Sequence, residues 1–304
     1  MNTFVKKLTI FVLPILFLAI CGEYLVRRIP NDYSQKQTYL DNHADDINVL
    51  FLGNSHIYYG INPEYIRNKS YNAAYISQSI DYDLAILELY KDHWKELKYI
   101  IIPIDYFSLD SKLGTSVEAW RVKNYTIYYN IDIDQKSVKN NSEMLSSNLK
   151  INSEKLNNFY LKKESAITSN KFGWGTSYNS GKNKDLDRTG MTAALRHTVK
   201  DDDTHKNNLR ILKNIIQFGK QRNIKIILIT CPTYKTYYDN LNLNQLHNTI
   251  TAVTDIAKKN NVDYYNWLKD KSFDKSDFYD ADHLNEIGAK KLTMKIDSLI
   301  QKPH

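Results

Sequence analysis

Short apolar runs alternate with amphipathic stretches along most of this chain, and that alternation limits the fold more than any other feature. Ile47 to Leu52 reads as a buried strand, Pro63 to Arg67 as a helical turn and Ser70 to Ala73 as a short strand. Asp81 to Leu97 reads as a helix, with Leu84, Leu87, Leu89 and Trp94 among its apolar residues, and Tyr99 to Ile104 as a second strongly apolar strand. The pattern resumes with a helix over Leu209 to Phe218, a strand over Ile224 to Thr230 stopped by Pro232, and a helix over Leu246 to Lys259. A strand over Val262 to Tyr265 and a last helix over Glu286 to Leu299 complete it. Apolar strands separated by helices predict an α/β fold of three layers, a mostly parallel sheet with helices on both faces.

Residues 108–203 break the rhythm. Asn, Lys, Ser and Tyr dominate there and no long apolar run occurs, so the segment predicts a large polar insertion or cap over the carboxyl edge of the sheet. Phe172-Gly173-Trp174-Gly175, Trp120 and the group Tyr125, Tyr128 and Tyr129 supply either aromatic walls for a ligand or a small core holding the insertion together. The boundaries expected are 1–26 for a membrane segment, 27–45 for a polar stalk or short helix, and 46–304 for the α/β domain that carries the insertion.

Leu8 to Ile20 is apolar apart from Thr9, follows Lys6 and Lys7, and ends at Cys21-Gly22-Glu23. It is short for a spanning helix, but Phe4-Val5 and Tyr24-Leu25-Val26 bring it near the required length, and no small-x-small cleavage site follows. An uncleaved single-pass anchor is expected, ahead of a lipoprotein, because Ile20 stands where a lipobox needs a small residue. Lys6 and Lys7 are nearly balanced by Arg27 and Arg28; the short tail argues for the N-terminus inside and the bulk exported, on the periplasmic side of the cytoplasmic membrane. Cys21 and Cys231 are too differently placed to pair, and a domain of this length needs no staple.

The net charge of +7 is spread along the chain, with no nucleic-acid motif. It suits an anionic membrane face, an anionic glycan or a generally solvated surface. Tyrosine is frequent, 23 of 304 residues, and some of these rings are suited to stacking on sugars.

Two blocks carry chemistry. Gly53-Asn54-Ser55-His56 directly follows Val49-Leu50-Phe51-Leu52, which sets Ser55 where a buried strand ends and a loop begins, the rim position for ligands in open α/β sheets. Asp280-Ala281-Asp282-His283 precedes the last helix. Asp and His three residues apart in that loop can turn toward one point, His283 as base for Ser55 and Asp280 as the carboxylate that orients the imidazole. Separately, each block also reads as ordinary punctuation, a Gly-Asn-Ser turn and an Asp-rich helix entrance capped by Asp282 or Asn285. Their joint occurrence at the two ends of the domain favours the catalytic reading. A metal site from Asp280, Asp282 and His283 lacks a further ligand segment, no cofactor is expected, and His56 receives no role.

In these blocks the chain resembles the SGNH or GDSL hydrolases over roughly residues 46–300. The resemblance implies an SGNH or flavodoxin-like sheet with nucleophile, acid and base at Ser55, Asp280 and His283. The family's second block is similar to Asn72-Ala73-Ala74-Tyr75-Ile76-Ser77, which implies Ala74 N–H as an oxyanion donor in place of glycine. Its third block falls near Ile104-Asp105-Tyr106-Phe107-Ser108, where no Asn stands, and Asn124 is the candidate substitute.

The resemblance implies a serine esterase or O-acyltransferase working through an acyl-serine. Its expected substrate is an acylated or acyl-accepting cell-envelope polysaccharide, with a membrane acyl-donor protein as a further partner. The rival is a non-catalytic SGNH-like structural or glycan-binding partner of a membrane assembly. The Gly-x-Ser-x-Gly elbow is absent because Ile57 replaces its second glycine, and no dinucleotide or phosphate-binding glycine loop occurs.

Overall fold

Five parallel strands form the sheet, in the order β2-β1-β3-β4-β5: β1 Val49–Phe51, β2 Ser70–Asn72, β3 Tyr99–Pro103, β4 Lys225–Thr230 and β5 Asp263–Asn266. This is the flavodoxin-like doubly wound order, whose chain reversal at β1 and β3 opens a crevice at the carboxyl ends of those strands. The computed structural model describes residues 2–133, 137–199 and 201–302.

Two faces are covered. Val49 and Phe51 alternate with Leu50 and point to one side, where they join Ile101, Ile227 and Ile229 in a cluster with Leu292, Ile296 and Ile300 of the helix Glu286–Ile300. On the other side the helix Asp202–Arg222 packs on β4 and against Ile80–Leu89, and Leu243–Asn260 packs on β5. Strands of three to six residues suffice because nearly every strand residue of β1 to β4 is buried on both faces.

The chain divides into two units, Tyr39–Glu118 with Ser169–His304, and Met1–Thr38 with Ala119–Thr168. The first holds the sheet. Of residues 108–203, 119–168 belong to the other unit and 169–203 to the sheet unit, where Leu186, Ala193 and Ala194 of the helix Leu186–His197 are buried. Close approach explains part of this. A Cβ on Gly175 would stand 2.2 Å from the Tyr58 ring, and the Trp174 indole donates to the Tyr59 carbonyl at 2.6 Å. These aromatics serve the core of the sheet unit.

The second unit contains the helix Asn2–Arg27, whose Thr3–Arg27 stretch is long and apolar enough to be a membrane anchor or a signal sequence. Residues 27–45, expected as stalk or short helix, hold the helix Asp32–His43; Asn31 accepts from the N–H groups of Tyr33 and Ser34 at its start, and Lys36 and Leu40 are fully buried.

Other boundaries also move. The helix expected to reach Leu97 ends at Leu89, where the Trp94 indole folds back and donates to the orphan Leu87 carbonyl at 3.0 Å. The helix expected over Leu209 to Phe218 runs from Asp202 to Arg222, because Asp201 caps its start and Asn223, at φ 55°, ends it.

Candidate active site

Ser55 opens a six-residue helix immediately after β1. Asn54 caps that helix, its side-chain oxygen accepting from His56 N–H at 2.8 Å. Gly53 makes the turn possible: its φ is 115°, and a Cβ there would stand 2.3 Å from the Pro103 ring at the end of β3. The nucleophile candidate is thus fixed by the strand, the glycine turn and the helix start together.

The block before the last helix lies against Ser55. His283 Nε2 is 2.8 Å from Ser55 Oγ, and His283 Nδ1 is 2.9 Å from Asp280 Oδ1. Asp280 Oδ1 also accepts the His283 backbone N–H at 2.8 Å, so one carboxylate oxygen fixes both the loop and the ring. Asn285 caps the following helix, accepting from the N–H groups of Ile287 and Gly288. Asp282, weighed as a cap, instead turns inward. Its oxygens lie 3.5 Å from His283 Nδ1, 3.8 Å from His56 Nε2 and 3.6 Å from the Arg196 guanidinium.

These carboxylates control the imidazole. Burial disfavours charge on His283, but Asp280 and Asp282 outweigh it and push the ring up to about 10. Burial alone would raise Asp282; His283, His56 and His197 hold it well below the usual carboxylate range. His197 goes the other way, lowered to about 3 chiefly by burial, so it is neutral where its neighbours are charged.

His56, which the sequence leaves without a role, is buried with its Nδ1 2.9 Å from Asp105 Oδ2. Asp105 stands where the resembled family has an Asn, and it accepts throughout: from Asn54 Nδ2 at 3.0 Å and from Cys231 N–H at 2.9 Å. Two clusters of ligand-type side chains occur among the described residues, His56 with Asp105 and Cys231, and His56 with Asp282 and His283. They share one imidazole, and Asp105 is already matched by His56 and by the Asn54 and Cys231 N–H groups.

A cavity of about 490 Å³ opens over the triad. Ser55, Tyr59, Ile76, Ser77, Phe107 and Tyr178 line its inner part, while Ser111, Lys112, Ser116, Asp201 and Thr204 supply a polar wall. Tyr178 stacks between Tyr59 at 3.6 Å and Tyr279 at 3.9 Å, and the Tyr59 and Tyr178 rings meet the His283 imidazole edge-on. The loop after β2 corrects one expectation. Ala74 N–H is spent on Asn72 Oδ1 at 3.1 Å and Ala74 is fully buried, so it does not face the cavity. Three residues on, Ser77 does, held at φ 61°, a conformation that glycine adopts without cost.

Asn124 is also displaced from its expected role. It is buried in the unit that holds the N-terminal helix, close to the Tyr33 phenol, and the cavity lining does not include it. Behind the loop, Asp83 ties two segments together, accepting from Gln78 Nε2 at 2.6 Å and from Gly53 N–H. Burial drives its carboxyl up to about 7 despite those donors. A water-sized space separates Gly53, Asn54, Gln78 and Asp83.

No family model matches the chain, and no curated relative matches it by sequence. Among solved structures it is similar to a GDSL-like lipase from Bacteroides thetaiotaomicron, at 11% identity and a TM-score of 0.43, covering 89% of this chain and 98% of that one. It is also similar to an acetyl xylan esterase, at 14% identity and a TM-score of 0.41, covering 84% of this chain and 100% of that one.

Proposed function

We propose that this protein is a serine ester hydrolase or O-acyltransferase of SGNH type, working through an acyl-Ser55 intermediate. The observation that carries the reading is the continuous relay Ser55–His283–Asp280, with contacts of 2.8 and 2.9 Å, at the floor of an open cavity. Ser55 Oγ attacks the ester carbonyl as His283 Nε2 takes its proton. The carbonyl oxygen becomes an oxyanion, met by the N–H groups of Ser55 and Ser77. Collapse expels the alcohol, which receives the proton from His283. In the second half His283 deprotonates the acceptor, which attacks the acyl-serine and frees Ser55.

Water as acceptor makes an esterase, and a sugar hydroxyl makes a transferase. An acylated or acyl-accepting envelope polysaccharide is the substrate proposed, because the cavity combines aromatic Tyr178 and Phe107 with a wall of hydroxyls and mixed charges suited to sugar recognition. The helix Asn2–Arg27 would anchor the enzyme in the cytoplasmic membrane with the α/β unit outside the cytoplasm, within reach of such a glycan and of a membrane acyl donor.

The test is labelling of the purified protein with a fluorophosphonate and turnover of an aryl acetate, each compared with Ser55→Ala. Labelling and turnover that vanish in Ser55→Ala support the proposal. Equal, negligible reactivity in both proteins sinks it and favours a glycan-binding role.

A further inference from the structure

We propose that the segment from Ser142 to Leu161 is a second membrane-binding element, lying in the bilayer interface beside the anchor with Leu145, Leu149 and Leu161 dipped into the lipid. This rests on reading the helix Asn2–Arg27 as a membrane anchor. The argument begins with length. Leu8 to Ile20 rises only about 20 Å at 1.5 Å per residue, whereas a hydrocarbon layer is roughly 30 Å thick. Lys6 and Lys7 limit extension on one side, so the missing length comes mainly from Cys21 to Val26 on the other. Those last turns therefore sit at the boundary between hydrocarbon and headgroups.

At that level the helix is gripped by the segment in question. A Cβ on Gly22 would stand 3.2 Å from Met144 Cε, so the two meet closely. Glu23 accepts from Ser142 Oγ at 2.7 Å, Glu143 N–H at 3.0 Å and Met144 N–H at 2.9 Å, and pairs with Arg27. Tyr160 donates to the Leu25 carbonyl at 3.0 Å. A carboxylate so fully matched is tolerable at a bilayer boundary, where an unmatched one is costly. Because Met144 and Tyr160 touch the anchor there, their sequence neighbours lie at the same depth.

Those neighbours are unusually apolar for exposed residues. Leu145, Leu149 and Leu161 are 61, 77 and 76% exposed, and Leu149 opens the helix Leu149–Leu156 that packs along the anchor. Lys150, Lys162 and Lys163 are interleaved with them and exposed. Phe159 and Tyr160 form an edge-on pair, and Arg28 covers the Tyr24 ring at 4.6 Å. Leucines with interspersed lysines and aromatic rings form the pattern of an interfacial segment, whose acyl face is apolar and whose charges reach anionic headgroups.

The experiment uses the full-length protein with Cys21→Ser, leaving Cys231 buried. Single cysteines at Leu149→Cys and Leu161→Cys are labelled with an environment-sensitive dye and reconstituted in vesicles of zwitterionic and anionic phospholipid. Leu16→Cys in the anchor and Leu243→Cys on the sheet unit, which is 75% exposed, are the comparisons. Emission at 149 and 161 should shift to shorter wavelength and be quenched by doxyl-labelled lipid, as at 16, while 243 stays unquenched. Quenching at 16 without quenching at 149 and 161 overturns the proposal and leaves the anchor standing. A blue shift at 149 without lipid quenching means a protein covers the leucines, and equally overturns it. Absence of quenching at 16 defeats the anchor reading, and the proposal with it.

Discussion

Asp282 sets a second carboxylate 3.5 Å from Nδ1 of His283, beyond hydrogen-bonding distance but well inside the range of strong electrostatic attraction. The His283 imidazole is consequently held against two negative groups, only one of which it bonds.

That arrangement fixes a pH dependence. With the ring pushed up to about 10, His283 is an imidazolium at neutral pH and the base form grows as pH rises. Aryl acetate kcat/KM should climb through the alkaline range, and Asp282→Asn should move this limb to lower pH while leaving Asp280 bonded. Identical profiles for the two proteins would refute the role given to Asp282. For stability, the raised value means His283 contributes fully below its unfolded pKa of about 6.5 and loses that contribution as pH rises toward 10. Melting temperature should therefore decline over this window, less steeply in Asp282→Asn.

Asp83 offers a test of the loop that carries Ser77. Asp83→Asn puts an amide against the Gln78 amide, and adding Gln78→Glu restores a donor and an acceptor. The single variant should lower kcat about tenfold or more with little change in KM, since misplaced oxyanion donors act on the transition state. The double variant should recover most of it. Asp83 also has a sign of its own: its folded value near 7 lies above the unfolded one, so its contribution is full below about pH 3.9 and is lost as pH rises to 7. Denaturant midpoints of Asp83→Asn should lack that decline.

Gly53→Ala brings a Cβ to 2.3 Å from the Pro103 ring at a φ of 115°. Overpacking and backbone strain together should cost about 2–5 kcal/mol. Chemical denaturation measures this, and fluorophosphonate labelling of whatever remains folded should be slow.

Asn124→Ala should leave turnover unchanged, because the residue faces Tyr33 within the other unit. A loss of melting temperature is expected instead, of the size that follows truncation of a buried polar side chain, about 1–3 kcal/mol. Loss of kcat without loss of stability would restore it as an oxyanion donor.

The sheet was legible because β1, β3 and β4 are continuous apolar runs, as strands covered on both faces of a parallel sheet are. The placement of Ser55, Asp280 and His283 was legible because their spacing and strand or helix context are local properties. What escaped was decided by tertiary contact. Asp282 reads as a cap until His56 and Arg196 approach it, and Ala74 reads as a donor until the Asn72 side chain takes its N–H. Ser77 left only a faint signal, a polar residue in a loop between a buried Asn and the Ser79 that precedes a helix. The extent of 169–203 was hidden because Gly175 and Trp174 pack through backbone proximity, which composition does not encode.

Ser55 and His283 stand 228 residues apart, and their contact has a consequence for biosynthesis. At about 5–20 residues per second, roughly ten to forty-five seconds separate the synthesis of one from that of the other. Throughout that interval the nascent chain holds a serine with no partner imidazole. The Ser55–His283 pair therefore cannot form until the last of its two blocks has been made.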